Sequence, residues 1–174
     1  MEIIRTVNEM TQIVEKESAS DNTIGFVPTM GYLHQGHLSL VRQAVSENDI
    51  VIVSVFVNPT QFGPDEDYEE YPRDLRGDSK KAKKAGADYI FAPEVSHMYA
   101  EGYNTFVTVE GITEKLCGKY RPGHFKGVTT VVNKLFNIIR PDRAYFGQKD
   151  YQQFMVIKRM VSDLNIPVKL CMVP

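Results

Sequence analysis

Apolar residues along this chain fall into short runs of strand length that alternate with longer segments of helical spacing. The short runs cover residues 24–27, 50–57, 88–91, 143–146 and 168–173. A run such as 50–57, which is apolar at nearly every position, is typical of a strand buried on both faces of a parallel sheet. Helical spacing is found over residues 6–18, 37–48, 73–85, 127–139 and 152–164. The alternation predicts a doubly wound, Rossmann-like α/β fold.

Two local patterns refine this prediction. Asp74 stands near the start of the helix predicted over 73–85, and Gly86 follows it directly, as an N-cap and a C-cap residue would. Residues 105–109 alternate between polar and apolar positions, so they predict an extra strand in an insertion.

Length and composition limit the classes of protein. A chain of 174 residues with 43% hydrophobic content predicts one domain with a substantial core. The net charge of −2 offers no basic field for nucleic acid. No apolar run approaches a membrane span, the first residues lack the apolar core of a signal peptide, and the two cysteines form no paired motif. We therefore expect a soluble cytoplasmic protein without a membrane or nucleic-acid partner.

The most informative stretch, Pro-Thr-Met-Gly-Tyr-Leu-His-Gln-Gly-His, runs from Pro28 to His37 between a predicted strand and a predicted helix. Backbone N–H groups at a helix N-terminus attract anions. His34 and His37 are three residues apart and share one side of a helical turn, and Gly36 lets a ligand approach the backbone. The stretch predicts a site for nucleotide phosphates.

Two other interpretations of these histidines stay open. Histidines in the first turn of a helix are often solvated surface residues. Zinc is a further possibility, but it requires additional ligands at recognisable spacing. The other candidate ligands stand singly along the chain: His97, His124, Cys117 and Cys171.

Two more polar segments follow predicted strands, namely residues 58–63 and 147–153. Each alone is typical of a surface turn. The carboxyl ends of parallel strands lie at one edge of the sheet, where ligands bind in doubly wound folds. We therefore expect the three segments to form one site.

Five motifs appear together and in order: Pro-Thr-Met-Gly-Tyr-Leu-His-Gln-Gly-His, Val-Asn-Pro-Thr-Gln-Phe-Gly, Tyr-Pro-Arg, Arg-Pro-Gly-His-Phe-Lys-Gly and Tyr-Phe-Gly-Gln-Lys-Asp-Tyr-Gln-Gln. The first contains the H-x-G-H signature of a nucleotidyltransferase superfamily. Together they resemble the pantothenate synthetase (pantoate–β-alanine ligase) family. The resemblance implies an ATP-dependent ligase that joins pantoate to β-alanine through a pantoyl adenylate, releases pyrophosphate and AMP, uses Mg²⁺ and forms a homodimer.

The resemblance also implies roles for individual residues. His37 and His34 would be catalytic and would contact the ATP phosphates. Gln61 and Gln153 would bind pantoate, with Gln61 beside β-alanine, and Asp78 would lie near magnesium and pyrophosphate. Arg121 and His124 would line or cover the site. The ATP contacts would be Met30, Gly31, Tyr32, Leu33, His34, Gln35, Gly36, His37, Gly147, Gln148, Lys149 and Asp150.

One family motif is missing from the sequence. The second lysine- and serine-rich motif of the superfamily does not occur, and the family carries it shortly beyond the strand at 168–173. We therefore expect residues 1–174 to form the nucleotide- and pantoate-binding domain of a longer enzyme, which is inactive without a C-terminal lid domain. Two alternatives remain: another H-x-G-H nucleotidyltransferase, or a nucleotide-binding module without catalysis.

Overall fold

The computed structural model describes residues 1–63, 66, 68–114 and 117–174. Six strands form one sheet: β1 (Glu2–Ile4), β2 (Ile24–Thr29), β3 (Ile50–Val55), β4 (Tyr89–Phe91), β5 (Arg143–Gly147) and β6 (Lys169–Val173). The α-helices are α1 (Val7–Ala19), α2 (Gln35–Glu47), α3 (Leu75–Ala85), α4 (Val95–Met98), α5 (Cys117–Tyr120), α6 (His124–Ile139) and α7 (Tyr151–Asp163). Short 3₁₀ helices cover Pro59–Gln61, Ile112–Glu114 and Gln148–Asp150.

The sheet has the strand order β1-β4-β3-β2-β5-β6, and every neighbouring pair is parallel. The chain moves outward in one direction from β2 through β3 to β4, and then in the other direction from β5 to β6. The order of the strands therefore reverses between β2 and β5. In doubly wound sheets, ligands bind in the crevice at this reversal. The predicted fold class is confirmed.

Two hydrophobic clusters cover the two faces of the sheet. One contains Met10 of α1, Phe136 of α6 and Ile157 of α7, packed against Phe26 of β2. The other contains residues of α2 and α3 packed against the opposite face, where Val27 alternates with Phe26. Because successive strand residues point to opposite faces, the continuous apolar runs in the sequence supply both clusters.

The predicted caps of α3 are confirmed. The Asp74 side chain accepts a hydrogen bond from the Gly77 N–H, and Gly86 ends the helix in the left-handed conformation with φ of 101°. Five predicted strands and five predicted helices are present, with ends shifted by up to three residues. The three-residue strand β1 was not predicted, because it is too short to show a pattern.

The prediction of a strand over residues 105–109 is wrong. This segment does not join the sheet and instead lies along α6. The Val107 N–H donates to the Thr130 hydroxyl at 3.0 Å, and the Thr129 hydroxyl donates to the Val107 carbonyl at 2.6 Å. Side chains of a helix thus satisfy backbone groups that a neighbouring strand would otherwise pair. Within the described ranges, no helix is long and apolar enough to cross a membrane.

Candidate active site

A cavity of about 360 Å³ opens at the carboxyl end of the sheet, beside the reversal between β2 and β5. Its polar lining includes five side chains that the sequence assigned to a site: His34, His37, Gln61, Asp150 and Gln153. They come from the segments that follow β2, β3 and β5, as the arrangement of parallel strands predicted.

The turn after β2 has an unusual backbone conformation, which a buried carboxylate holds. Gly31 and Tyr32 both have positive φ, 87° and 51°. Asp78 of α3 is fully buried, and its two carboxylate oxygens accept the N–H groups of Tyr32 and Leu33 at 2.8 and 2.7 Å. The Lys81 ammonium donates to the Leu33 carbonyl at 2.8 Å. Helix α3 therefore fixes the turn that leads into the histidines.

The position of Asp78 near magnesium and pyrophosphate, which the resemblance implies, stays a prediction. Asp78 is 0% exposed, and each of its carboxylate oxygens accepts one backbone N–H. Among the residues that the structure describes, no group of three or more histidine, cysteine or acidic side chains could hold a metal ion. Asp78 holds the turn between β2 and α2.

His34 and His37 form a pair at the N-terminus of α2. His34 is the N-cap, and its Nδ1 accepts the Gly36 N–H at 3.1 Å. Nδ1 of His37 accepts the N–H of His34 at 3.4 Å, and the two rings stack with their centroids 4.1 Å apart. Because both Nδ1 atoms accept, the proton of each neutral ring lies on Nε2. Each histidine therefore has one N–H donor for a ligand.

The environment keeps His37 neutral. Burial, followed by repulsion from His34, lowers the pKa of His37 from its usual 6.5 to about 4. The nearby charges of Asp150 and Asp78 raise this pKa, whereas Lys149 lowers it. A neutral imidazole at the positive end of a helix is a hydrogen-bond donor that an incoming anion can strengthen, because the anion favours the protonated form.

The lowered pKa of His37 predicts that stability depends on pH. The unfolded chain protonates this residue near 6.5 and the folded chain near 4, so the unfolded state binds more protons between these values. The free energy of unfolding should therefore fall as the pH is lowered through this interval. Urea unfolding followed by circular dichroism at several pH values measures the loss. His37→Gln should lose less stability than the unchanged protein, and equal losses would contradict the prediction.

Gln61 enters the cavity from the 3₁₀ helix after β3 and is 7% exposed. Its Oε1 accepts from Asn58 Nδ2 at 3.1 Å, and its Nε2 donates to the Met30 sulfur at 3.0 Å. Helix α6 packs directly on this turn at Gly127, where an added Cβ would come within 2.5 Å of the Thr60 and Gln61 backbones. Only glycine allows this close approach.

Arg121 and His124 support the same turn. The Arg121 guanidinium pairs with Glu66, with Nη2 3.0 Å from Oε2, and its Nη1 lies 3.3 Å from His124 Nε2. Since guanidinium only donates, His124 Nε2 accepts, and its Nδ1–H donates to the Gln61 carbonyl at 3.0 Å. Burial lowers the pKa of His124, and the Arg121 charge lowers it further. Both residues line the cavity, as predicted.

One wall of the cavity is apolar and was not predicted. It is formed by one face of α6 together with aromatic residues at the ends of β3 and β5. The wall consists of Phe56, Val128, Val131, Val132, Leu135 and Phe146. Such a surface beside neutral amides suits a small ligand with both alkyl and hydroxyl or carboxylate groups.

The other predicted nucleotide contacts lie around the rim. Gln148, Lys149 and Asp150 form an exposed 3₁₀ turn after β5, and Asp150 reaches the cavity lining. Tyr32 is 57% exposed, whereas Leu33 is 2% exposed and packs in the second hydrophobic cluster. The side chain of Leu33 is therefore part of the core, and its backbone N–H and carbonyl are bonded to Asp78 and Lys81.

Sequence reasoning missed Asn58, which is 1% exposed and hydrogen-bonded to Gln61. It also missed Tyr99, whose hydroxyl donates to Asn58 at 2.8 Å. The available signal was position, because Asn58 directly precedes Pro59 in the segment that carries Gln61. An asparagine before proline is so common in turns that this signal alone is weak.

The sheet order and the site define a doubly wound α/β domain with paired histidines at the crevice between β2 and β5. A family model, Pantoate-beta-alanine ligase, matches residues 2–174. The pantothenate synthetases of Moorella thermoacetica and Acetivibrio thermocellus are 60% and 58% identical to the chain over 174 residues. The chain belongs to the pantoate–β-alanine ligase family.

Solved structures agree with this assignment. Pantothenate synthetase from Thermus thermophilus matches with a TM-score of 0.95 and 54% identity. The pantoate–β-alanine ligase of Francisella tularensis, in a structure described as complexed with "Beta-gamma ATP and Beta-alanine", matches with a TM-score of 0.95 and 44% identity. Both matches cover the whole chain, which spans 62% and 67% of the two solved chains. The chain also spans 62% of the length of the two curated relatives.

Proposed function

We propose that this chain is the nucleotide- and pantoate-binding domain of an enzyme that condenses pantoate with β-alanine at the expense of ATP. The observation that carries the proposal is the single cavity in which His34 and His37 meet Gln61, Gln153 and an apolar wall. Imidazole donors suit phosphates, amides suit hydroxyl and carboxylate groups, and the wall suits the two methyl groups of pantoate. The family assignment supports the same reaction.

In the first step, a carboxylate oxygen of pantoate attacks the α-phosphorus of ATP. The bond to the bridging oxygen breaks, pyrophosphate leaves, and pantoyl adenylate forms. Negative charge grows on the non-bridging oxygens of the transferring phosphate. The Nε2–H groups of His34 and His37, at the positive end of α2, are preorganised to stabilise this charge.

In the second step, the neutral amine of β-alanine attacks the carbonyl carbon of the adenylate. An amide bond forms, AMP leaves with the electron pair of the broken bond, and the amine gives up a proton. Gln61, which contacts Met30 and lines the same cavity as the apolar wall, would lie beside both the pantoyl group and the incoming amine. The domain's contribution to this step is orientation of the two reactants.

Magnesium would accompany the nucleotide, because it neutralises phosphate charge and usually binds proteins through few ligands. Asp78 would lie near this ion, and each of its oxygens keeps a lone pair besides the one that accepts a backbone N–H. We assign the nucleotide rim to residues 147–150, with Lys149 toward the phosphates and Asp150 toward the ribose. A cytoplasmic location is in keeping with the use of ATP.

The activity is tested by exchange of labelled pyrophosphate into ATP, measured with the complete protein. We expect exchange that requires pantoate and does not require β-alanine, followed by release of AMP when β-alanine is added. Exchange supported by a phosphorylated acceptor instead of pantoate would indicate another H-x-G-H nucleotidyltransferase. ATP binding without exchange would indicate a module that only binds nucleotide.

Substitution of Gln153 should affect the two substrates differently. Removal of one partner from a buried hydrogen bond costs about 1–3 kcal/mol, and a neutral amide suits the oxygens of pantoate better than phosphate. Calorimetry on Gln153→Ala should show pantoate binding weakened by this amount and ATP binding nearly intact. The matched control is Gln152→Ala on the same helical turn, where the side chain donates to the Ile112 carbonyl at 3.1 Å. Equal losses for both ligands at Gln153 would mean that its role is structural.

Self-association is a separate part of the proposal, and the family resemblance is its basis. We expect the purified chain to form a homodimer in solution. Light scattering should then give about twice the mass of 19.8 kDa. A mass that stays at the monomer value up to high concentration would contradict this expectation.

A further inference from the structure

The buried side chain of Asn58 uses every hydrogen-bonding group that it has. Its Oδ1 accepts from the Thr60 N–H at 3.3 Å, the Thr60 hydroxyl at 3.0 Å and the Tyr99 hydroxyl at 2.8 Å. Its Nδ2 donates to the Gly127 carbonyl and to Gln61 Oε1, both at 3.1 Å. A satisfied and buried amide of this kind has one orientation.

Backbone groups and the hydroxyls of Thr60 and Tyr99 together determine this orientation. The N–H of Thr60 can only donate, so the atom facing it must be the Asn58 oxygen. The carbonyl of Gly127 can only accept, so the atom facing it must be the Asn58 nitrogen. Burial raises the pKa of Tyr99 to about 12, which keeps its hydroxyl protonated as a third donor to the same oxygen.

The orientation of the Asn58 amide determines the orientation of the Gln61 amide. Since Asn58 Nδ2 can only donate, the atom of Gln61 facing it must be the carbonyl oxygen, Oε1. The Gln61 Nε2 group then points toward Met30, whose sulfur lies 3.0 Å away and, like Gln61, lines the cavity. Thioether sulfur is a weak acceptor, so a ligand oxygen can replace it favourably.

We propose that Asn58 is a positioning residue that fixes the polarity of the Gln61 amide, so that Gln61 presents an N–H donor to the substrate and never its carbonyl oxygen. The inference rests on the proposed function for the identity of the substrate, pantoate. It extends the proposed function by stating which chemical group the site requires in its substrate. A substrate must offer an oxygen acceptor at this point, and an analogue without one leaves a buried donor unpaired.

The first experiment removes one hydroxyl from the chain of hydrogen bonds. Tyr99→Phe keeps the ring and loses the donor to Asn58, and Tyr103→Phe is the control, since its ring packs edge-to-face on Tyr99 with centroids 5.0 Å apart. Pantoate and a non-hydrolysable ATP analogue are titrated separately by calorimetry. We expect Tyr99→Phe to weaken pantoate binding by about three- to tenfold and to leave the ATP analogue within about twofold. Tyr103→Phe should change neither affinity beyond about twofold.

A second variant and an NMR measurement on Gln61 test the proposal even if Tyr99→Phe does not fold. Thr60→Val removes another donor from the same Asn58 oxygen and keeps the side-chain shape. It should show the same selective loss for pantoate. In the unchanged protein, the Gln61 side-chain ¹⁵N–¹H signals, identified by their absence in Gln61→Glu, should move when pantoate is added.

The outcomes distinguish failure of this inference from failure of the proposed function on which it rests. Absence of pantoate binding in the unchanged protein would overturn the proposed function. If pantoate binds, the inference is overturned by unchanged pantoate affinity in a folded variant, by equal loss of both ligands, or by unmoved Gln61 amide signals. Selective loss of pantoate together with shifted amide signals supports it.

Discussion

Replacement of His37 by alanine is expected to lower the rate of pantoate-dependent adenylation by about 10²–10³-fold, which corresponds to about 2.7–4 kcal/mol of transition-state stabilisation. The imidazole is held by its Nδ1 on a backbone N–H, so its Nε2–H is aimed before any ligand arrives. A preorganised donor of this kind acts mainly where charge develops. Pyrophosphate exchange in the complete protein measures the effect.

Two further variants identify the property of His37 that matters. His37→Gln keeps a neutral N–H donor close to the Nε2 position and should recover part of the lost rate. The control is His97→Ala, because His97 is an exposed histidine of α4 whose Nδ1 lies 3.1 Å from the Arg5 carbonyl. It should leave exchange unchanged. Normal adenylation by His37→Ala would remove the residue from the catalytic assignment.

Asp78→Asn should reduce the free energy of unfolding by about 3 kcal/mol, although it changes neither the size nor the shape of the side chain. The carboxylate accepts two backbone N–H groups at 2.8 and 2.7 Å, and an amide can accept only one of them. The other N–H would meet the amide nitrogen and lose its partner beside a fully buried side chain. Hydrogen bonds to charged groups and unsatisfied buried donors each account for about 1–3 kcal/mol.

Urea unfolding measures the loss at Asp78, and Asp163→Asn is the matched control. Asp163 pairs with Arg159 on the exposed face of α7, where such pairs contribute less than about 1 kcal/mol. ATP binding should also weaken in Asp78→Asn, because the turn at Tyr32 leads directly into the histidines. A fully stable Asp78→Asn protein with normal ATP affinity would show that the turn holds its conformation without the carboxylate.

Periodicity was sufficient to predict the doubly wound architecture, because the four central strands, β2 to β5, are largely buried on both faces. The apolar run of β3 is short, continuous and rich in β-branched residues, and such a run strongly favours a buried strand. The capping residues Asp74 and Gly86 indicated both ends of one helix. The prediction of an extra strand at residues 105–109 was wrong for a physical reason. Alternation shows that a segment can be extended, but it does not show whether a strand or the hydroxyls of Thr129 and Thr130 will satisfy its backbone.

The candidate site was predictable as a set of motifs but not as a set of contacts. The histidine pair and the two glutamines lie together because they follow neighbouring strands, which the fold class implies. The role of Asp78 was not predictable, because its partners are backbone N–H groups 45 and 46 residues away. Asn58 was missed for the same reason, since its buried contacts come from three separate parts of the chain.

The strand order has a consequence for how the protein is made. β2 pairs with β5 through Gly25 and Arg143, so the crevice does not exist until the ribosome has released about four fifths of the 174 residues. Until then the histidines of the first third have no Gln153 and no β5 turn beside them. Such long-range pairing forms slowly. A growing chain therefore cannot assemble the proposed ATP pocket before residues up to Gln153 have emerged and β5 has joined the sheet.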